Sequence, residues 1–263
     1  MLTKKQLLKG LSSRVIGKKI FVFDKIDSTN ACAKILAEAG IEDGSIVIAD
    51  YQTEGRGRQG RSWQSEIGKN LLFSLVLKSQ LHRTVVGLLP FYAAVSVARG
   101  IESMLPITVH CKWPNDVIIQ GKKCCGILLE SAVGTETLRY AVVGIGVNVN
   151  QERFPGEMTT PPTSLKLEVG KSIDRVALFQ HIVHSLDELY PKIQQGDFTD
   201  VVTEWQERTP MLGKEISIVH HGKTVQGVAK HINVNGGLVV ATPEGTKTFY
   251  AGDVSVFSNN DGE

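Results

Sequence analysis

Apolar runs alternate along this chain with polar, glycine-rich segments, and the spacing within each run predicts an element. Residues 20–24, 45–50 and 70–77 are rich in β-branched and aromatic side chains, which is typical of strands. Residues 85–105 and 174–196 carry apolar side chains at helical spacing, so they predict two long helices. This mixture predicts an α+β fold in which helices pack on a sheet.

The segments between these runs predict shorter elements. They are a helix from about residue 28 to Gly40, a strand at 109–113, a hairpin at 117–130 that turns at Gln120-Gly121, a glycine-bearing strand at 140–150, a Pro/Thr-rich loop at 154–164, and short helices at 5–11 and 198–208. Residues 3–19 form a lead-in that is much shorter than a DNA-reading domain of about 60 residues.

The pattern changes after Thr209. Short alternating strands follow, separated by turn signals at His221-Gly222, 235–237, 243–245 and Gly252-Asp253. Such a series predicts a small β-barrel of about 45 residues. We therefore divide the chain into a domain at 1–209 and a barrel domain at 210–263.

Composition narrows the class of protein. The 263 residues are 42% hydrophobic and 21% charged with a net charge of +2, which is ordinary for a soluble globular protein and gives no argument for nucleic acid. No apolar run approaches the ~20 residues of a membrane span, and no secretory signal opens the chain. The four cysteines have neither C-x-x-C nor zinc-ligand spacing, so we expect reduced thiols and a cytoplasmic protein.

Residues 53–63 are the strongest candidate for chemistry. Three glycines and three arginines alternate in this segment, and Trp63 closes it. Glycine lets the backbone approach a ligand closely, and each arginine presents a planar fork of donors that suits carboxylate or phosphate. A disordered basic arm for nucleic acid, or a solvated loop, would have a similar composition. Because predicted strands anchor both ends of the segment, we favour a loop that clamps an anionic ligand.

Three other polar or glycine-bearing clusters lie at the predicted ends of strands, at 28–30, at 112–116 with Lys123 and Gly126, and at 144–148. Helix capping alone would explain the first cluster. If all of them converge on one pocket, arginines are available for phosphates, lysines for a carboxylate, and Asn115-Asp116 for Mg²⁺ or a nucleophile. Neither a Ser-His-Asp set nor a phosphate-binding G-x-x-x-x-G-K-[ST] motif is recognisable.

The order of these motifs closely resembles that of biotin protein ligases. The resemblance lies in Ser28-Thr29-Asn30, Gln52 to Trp63, Lys112-Trp113-Pro114-Asn115-Asp116, Lys123-x-x-Gly126-Ile127-Leu128-Leu129-Glu130, Gly144-Ile145-Gly146-Val147-Asn148 and, in the small C-terminal barrel, Gly252-Asp253-Val254-Ser255. It spans about residues 20–257. Several motifs in the same order are far more specific than any one of them.

The resemblance implies a class II synthetase-like catalytic domain with a central mixed sheet, followed by an SH3-like barrel. It also implies a reaction in two steps. Biotin and Mg-ATP form biotinyl-5′-adenylate, and the biotinyl group then passes to one lysine of a biotin carboxyl carrier protein, as in acetyl-CoA carboxylase. The expected cofactors are therefore ATP and Mg²⁺, with biotin as the substrate.

The resemblance also assigns residues. The implied biotin-binding set is Ser28, Thr29, Asn30, Gln52, Gly55, Arg56, Gly57, Arg58, Lys123, Gly126 and Gly144. The implied ATP- and adenylate-binding set is Arg58, Arg61, Trp63, Asn115, Lys123 and Asn148. The implied catalytic residues are Arg58, Arg61, Asp116 and Lys123, with Asp116 as the metal ligand.

One departure from the family pattern is Gln59, where some relatives carry a basic residue, and we expect little consequence. Some family members carry an N-terminal DNA-binding domain. The short lead-in of this chain predicts a ligase without repressor function and without DNA as a partner. A lipoate ligase of the same fold and a nucleic-acid-binding module are the competing readings. The sequence leaves the oligomeric state open, a homodimer included.

Overall fold

The computed structural model describes residues 1–155, 160–220 and 222–256. Seven strands form the central sheet, and they are β1 (Ile20–Phe23), β2 (Ile46–Ala49), β3 (Leu71–Leu77), β4 (His110–Lys112), β5 (Asp116–Ile119), β6 (Lys122–Val133) and β7 (Leu138–Val147). Their order is β1-β2-β3-β7-β6-β5-β4. β1 and β2 are parallel and the other neighbours antiparallel, so the sheet is mixed, as expected.

Helices cover both faces of this sheet. They are α1 (Lys4–Leu8), α2 (Thr29–Glu38), α3 (Leu89–Glu102), α4 (Leu165–Val169), α5 (Arg175–Gln194) and α6 (Thr199–Arg208). On one face, Phe73 of β3 packs edge-on against Phe179 of α5, within the main core. On the other face, α2 covers a smaller cluster that includes Val47 and Val142. A strand buried on both faces is apolar throughout, which explains the continuous apolar run of β3.

The C-terminal strands are β8 (Glu215–His220), β9 (Lys223–Ile232), β10 (Leu238–Thr242), β11 (Gly245–Phe249) and β12 (Asp253–Val256). They form an antiparallel sheet in the order β11-β10-β9-β8-β12. Its apolar residues join the main core, and the Trp113 indole N–H donates to the Gly236 carbonyl at 3.2 Å. The series of short strands was expected, whereas a closed SH3-like barrel and a domain boundary at residue 209 stay predictions.

The structure and the sequence prediction differ at several elements. Besides α1, which ends at Leu8 and not at residue 11, and β7, which ends at Val147 and not at residue 150, three differences are informative. α3 ends at Glu102 and is preceded by a 3-10 turn at Val86–Leu88, so the predicted helix at 85–105 was too long. β6 continues to Val133, beyond the predicted end at residue 130. α4 was missed because a helix of five residues is too short to reveal its period, although Ser164 caps its start and Gly170, with φ 74°, ends it.

Three predicted features lie wholly or partly outside the described residues. They are the middle of the loop at 154–164, the turn at His221, and the end of the C-terminal domain after residue 256. Among the described residues, no helix combines the length and apolar character that a membrane crossing requires.

Candidate active site

A cavity of about 540 Å³ lies on the α2 face of the central sheet, and all four predicted clusters contribute to its lining. The predicted residues that line it are Ser28, Thr29, Asn30, Gln52, Arg56, Gly57, Arg58, Arg61, Trp63, Lys112, Asn115, Asp116, Lys123, Gly126, Gly144 and Asn148. The convergence expected from the sequence is therefore present. Gly55 is the exception, because it does not line the cavity.

Glycines in β6 and β7 form the floor of the cavity. A Cβ atom at Gly144 would lie 2.2 Å from the Asn30 Oδ1 atom. Cβ atoms at Gly126 and Gly146, which are paired across the two strands, would each lie 2.7 Å from the Trp63 indole. The glycines thus let Asn30 and Trp63 lie directly on the sheet. Gly126 and Gly144 lie inside β6 and β7, as the predicted hairpin at 117–130 and the predicted glycine-bearing strand at 140–150 imply.

One end of the cavity is polar and buried. Ser28, Thr29 and Asn30 are each at most 4% exposed, at the start of α2. The backbone N–H and the hydroxyl of Thr29 donate to Gln52 Oε1 at 2.7 and 2.9 Å. Ser28 also accepts the Ala31 N–H at 3.4 Å, so helix capping and cavity lining coexist at this residue. We call this region the amide end, defined by Thr29, Asn30 and Gln52.

The glycine-arginine segment folds as a small hairpin beside the amide end. The Trp63 N–H donates to the Gly55 carbonyl at 2.8 Å, and the Gly57 N–H donates to the Arg61 carbonyl at 2.7 Å. A Cβ atom at Gly55 would lie 2.3 Å from the Trp63 carbonyl oxygen, so only glycine permits this close pairing. Gly55 therefore has a role within the hairpin itself, and its predicted contact with a ligand stays a prediction.

The other end of the cavity gathers cations, and we call it the cationic end, defined by Arg58, Arg61, Lys112 and Lys123. The Lys123 Nζ atom lies 2.7 Å from Asp116 Oδ1. The Arg58 guanidinium donates to Asn115 Oδ1 at 3.0 Å, and burial lowers the pKa of Arg58. A buried cation favours an anionic ligand, because the ligand restores the stabilisation that water would have given.

The C-terminal sheet completes the cationic end. Arg61 forms an ion pair with Asp253 at 2.9 Å, and Asp253 itself lines the cavity. Lys112 donates to the Thr160 hydroxyl at 2.7 Å, and burial lowers its pKa. The sequence did not predict that Asp253 lies in the same cavity, because no local pattern connects β12 with a loop nearly 200 residues earlier.

Three polar atoms in the cavity wall have no hydrogen-bond partner among the described residues. They are Asn148 Oδ1, Trp63 Nε1 and Asp116 Oδ1, and the last of these lies within ion-pair distance of Lys123. Asn148 is 4% exposed and its amide nitrogen donates to the Thr163 carbonyl at 3.0 Å, which leaves its oxygen as an acceptor. The Lys123 ammonium lies 5.6 Å from the centre of the Trp63 ring. Buried polar atoms are rarely left unpaired, so Asn148 Oδ1 and Trp63 Nε1 are available to hydrogen-bond a ligand.

A metal ion would find few protein ligands here. Across the described ranges, no group of three or more His, Cys, Asp or Glu side chains could hold a metal ion. Asp116 does present a carboxylate to the cavity, next to the Asn115 amide. Mg²⁺ typically takes one or two protein carboxylates, with phosphate oxygens and water as its other ligands, so Asp116 fits an ion that arrives with a nucleotide.

Two cysteines follow Lys123 directly, but neither is a nucleophile. All four cysteines are free, and Cys124 and Cys125 are fully buried. Burial raises the pKa of both thiols well above the usual value, so they stay protonated at neutral pH. Neither thiol lines the cavity, and a buried, protonated thiol is a poor nucleophile.

Sequence reasoning missed two residues behind the amide end, Ser74 and Glu130. Ser74 hydrogen-bonds to both Thr29 and Asn30, and Glu130 accepts from Asn30. A signal for Ser74 was present, because it is the lone polar residue of β3. Glu130 stood inside a quoted motif but received no role.

The sequence matches two family profiles in separate segments. The Biotin/lipoate A/B protein ligase family matches residues 22–148, which hold every predicted site residue. The Biotin protein ligase C terminal domain matches residues 211–256, which hold the C-terminal sheet. The second profile is that of biotin ligases and not of lipoate ligases.

Whole relatives agree with both profiles. The bifunctional ligase/repressor BirA of Bacillus spizizenii is 35% identical over 257 residues, which cover 97% of this chain and 79% of the relative. The biotin–[acetyl-CoA-carboxylase] ligase of Paracoccus denitrificans is 31% identical, with coverage of 88% and 97%. The structure of the Aquifex aeolicus biotin protein ligase in complex with biotin and ATP aligns with a TM-score of 0.76 at 29% identity, covering 92% of this chain and all of that one. This chain belongs to the biotin protein ligase family.

Proposed function

We propose that this chain activates biotin with ATP and transfers the biotinyl group to a lysine of a biotin carboxyl carrier protein. The observation that carries the proposal is the division of one cavity into an amide end and a cationic end. Biotin has a fused ring that offers hydrogen-bond donors and an acceptor, and a chain that ends in a carboxylate. The amide end suits the ring, and the cationic end suits the carboxylate together with the phosphates of ATP.

In the first step, a carboxylate oxygen of biotin attacks the α-phosphorus of ATP. A new P–O bond forms, the bond to pyrophosphate breaks, and pyrophosphate leaves with its electron pair. Both reactants are anions that repel each other. Lys123 and Arg58 would stabilise the charge that gathers between them, more strongly in the transition state than in the separated reactants. Arg61 would meet the leaving phosphates, and Trp63 and Asn148 would contact the base.

In the second step, the neutral amine of the acceptor lysine attacks the acyl carbon of the adenylate. The C–N bond forms, the C–O bond to phosphate breaks, AMP leaves with the electron pair of that bond, and the amine releases one proton to solvent. Asp116 would orient the incoming amine, since it is a carboxylate that lines the cavity beside Lys123. The hairpin at 55–63 would keep water from the adenylate, because free water would hydrolyse the mixed anhydride.

Mg²⁺ is expected to arrive with the nucleotide. Asp116, with Asn115 beside it, would hold the ion together with phosphate oxygens. Bound there, it would neutralise phosphate charge. The residues of the cationic end would still have to bring the carboxylate and the α-phosphate together.

Release of pyrophosphate tests whether the acid is biotin or lipoate. Purified protein is given Mg-ATP with either acid, and we expect release to depend on biotin. The C-terminal profile favours biotin, because it is described for biotin protein ligases. Release that depends on lipoate and not on biotin would contradict the proposal. Binding to duplex DNA that weakens steeply with salt, without release of pyrophosphate, would favour the nucleic-acid reading.

Two further features of the proposal come from the sequence. We propose a cytoplasmic ligase without repressor function. Some relatives are named ligase/repressors, so repression is a specific alternative. The prediction is that the protein with biotinyl-adenylate bound shows no sequence-specific binding to duplex DNA at physiological salt.

A further inference from the structure

Ser74 lies behind the amide end and touches two of its members. Its Oγ atom is 2.8 Å from Thr29 Oγ1 and 2.6 Å from Asn30 Oδ1. Ser74 is fully buried in the middle of β3, and it does not line the cavity. A hydroxyl in an otherwise apolar strand costs desolvation free energy unless it is paired, so its position on these two side chains needs an explanation.

Glu130 holds the other side of Asn30. Its Oε2 atom accepts from Asn30 Nδ2 at 2.9 Å, and its Oε1 atom accepts from Lys34 Nζ at 2.9 Å. Burial opposes ionisation of Glu130, but the hydrogen bonds from Lys34 and Asn30 hold its pKa below the usual value. An ionised carboxylate only accepts hydrogen bonds. It therefore fixes the Asn30 amide with nitrogen toward Glu130 and oxygen toward Ser74.

Four oxygens form a continuous series of short contacts along the amide end. They are Gln52 Oε1, Thr29 Oγ1, Ser74 Oγ and Asn30 Oδ1, with spacings of 2.9, 2.8 and 2.6 Å. The two amide oxygens carry no proton, so the two hydroxyls supply two protons for three spacings. Asn30 Oδ1 can only accept, so its contact with Ser74 is a hydrogen bond when the Ser74 hydroxyl donates. The Ser74 oxygen then presents lone pairs to Thr29, and the Thr29 hydroxyl donates to Gln52.

We propose that Glu130 and Ser74 are positioning residues that set which atoms of the amide end donate and which accept. The order runs from the Glu130 carboxylate through the Asn30 amide and the Ser74 hydroxyl to Thr29. The inference rests on the proposed function, in which this end binds the ring of biotin. A ring with donors and an acceptor at fixed places is bound tightly only when the protein's donors and acceptors are fixed before binding.

Glu130→Gln is the first test. A neutral amide donates as well as accepts, so Asn30 loses its ionised acceptor and keeps the more distant Leu128 carbonyl, which lies 3.4 Å from its amide nitrogen. We expect the dissociation constant for biotin, measured by calorimetry without ATP, to rise about tenfold. The KM for ATP should change less than twofold, because the cationic end is untouched. Glu38→Gln is the matched control, since Glu38 accepts the Tyr140 hydroxyl at 2.9 Å near the other end of α2. It should bind biotin as the parent does.

Ser74→Ala is the second test, and it keeps the inference testable if Glu130→Gln fails to fold. We expect it to weaken biotin binding severalfold with an unchanged KM for ATP. Ser96→Ala removes an equally buried hydroxyl, one that donates to the Tyr92 carbonyl within α3. Thermal melting should respond similarly to both serine changes, whereas biotin affinity should respond only to Ser74→Ala. Equal effects of the two on biotin affinity would assign Ser74 to the scaffold and overturn the inference.

A double-mutant cycle separates action through Asn30 from direct action. In an Asn30→Ala background, Glu130→Gln should have almost no further effect on biotin affinity, because its target is gone. A full tenfold effect in that background would overturn the positioning role of Glu130. If the parent protein binds no biotin at all, the proposed function fails first, and the inference falls with it. If the parent binds biotin and Glu130→Gln binds it equally well, the inference alone is wrong.

Discussion

The amide end and the cationic end of the cavity are built from different parts of the chain and held in different ways. At the amide end, Thr29 and Asn30 start a helix and bond to partners in the sheet and in the short segment after β2. At the cationic end, Arg58 and Arg61 come from a hairpin, and Asp253 from the C-terminal sheet. Asn30 is buried, whereas the side chain of Arg61 is 51% exposed.

The two ends differ in which internal contacts a ligand has to displace. The amide end has its hydrogen bonds arranged before any ligand binds, so biotin would meet a finished surface. The cationic end satisfies its charges internally, with Lys123 on Asp116 and Arg61 on Asp253. Phosphates and a carboxylate would exchange with those partners. We therefore expect affinity for the acid to depend on the amide end, and catalysis to depend on the cationic end.

The largest effect is expected at Lys123. Lys123→Ala removes the cation nearest Asp116, and biotin-dependent pyrophosphate release should fall about 10²- to 10³-fold. Lys122 is the matched control, because it is adjacent in sequence but pairs with Glu168 and does not line the cavity. Lys122→Ala should keep the parent rate. Melting temperatures of both variants should stay close to the parent, and a large stability loss with unchanged turnover would assign Lys123 to the scaffold.

Substitution of two glycines of β7 should affect ligand binding at the two ends of the cavity separately. Gly144→Ala drives a methyl group into Asn30, and Gly146→Ala drives one into the Trp63 indole. Overpacking typically costs about 1–3 kcal/mol. We expect Gly144→Ala to weaken biotin binding about tenfold or more and Gly146→Ala to raise the KM for ATP by a similar factor. The same pattern from both variants, measured by calorimetry and initial rates, would contradict a divided cavity.

Arg58 should matter for retention of the intermediate. Arg58→Ala removes a guanidinium that spans from the hairpin to Asn115, and we expect severalfold more free biotinyl-adenylate in solution per pyrophosphate released. Chromatography of quenched reactions measures this ratio. Arg58→Lys keeps the charge without the planar fork, so its ratio of free adenylate to pyrophosphate should lie between those of the parent and of Arg58→Ala. Retention equal to the parent in Arg58→Ala would argue against a clamp.

The smallest effect is expected at Asp253. Its ion pair with Arg61 is largely exposed, so its contribution is small and weakened by salt. Asp253→Asn should change the KM for ATP less than about fivefold, and the change should shrink as salt rises. A much larger, salt-independent change in initial-rate measurements would mean that Asp253 contacts the substrates directly.

Local pattern was enough for most elements and for the lining of the cavity. The period of apolar residues predicted α2, α5 and the strands that carry the glycines, and the arginines of residues 53–63 indicated an anionic ligand. Contacts between residues far apart in the sequence could not be predicted from local pattern. Asn30 meets Ser74 and Glu130 from 44 and 100 residues away, and Arg61 meets Asp253 from 192 residues away. Such contacts depend on strand order and register, which a single sequence does not specify.

The most direct measurement of the divided cavity is a crystal structure of the protein grown with biotin and a non-hydrolysable ATP analogue. We expect the fused ring of biotin to lie within hydrogen-bond distance of Thr29, Asn30 and Gln52. We also expect the carboxylate and the α-phosphate to lie beside Lys123 and Arg58, and the base to lie near Trp63. A ring bound next to Trp63, or a nucleotide bound outside this cavity, would contradict it.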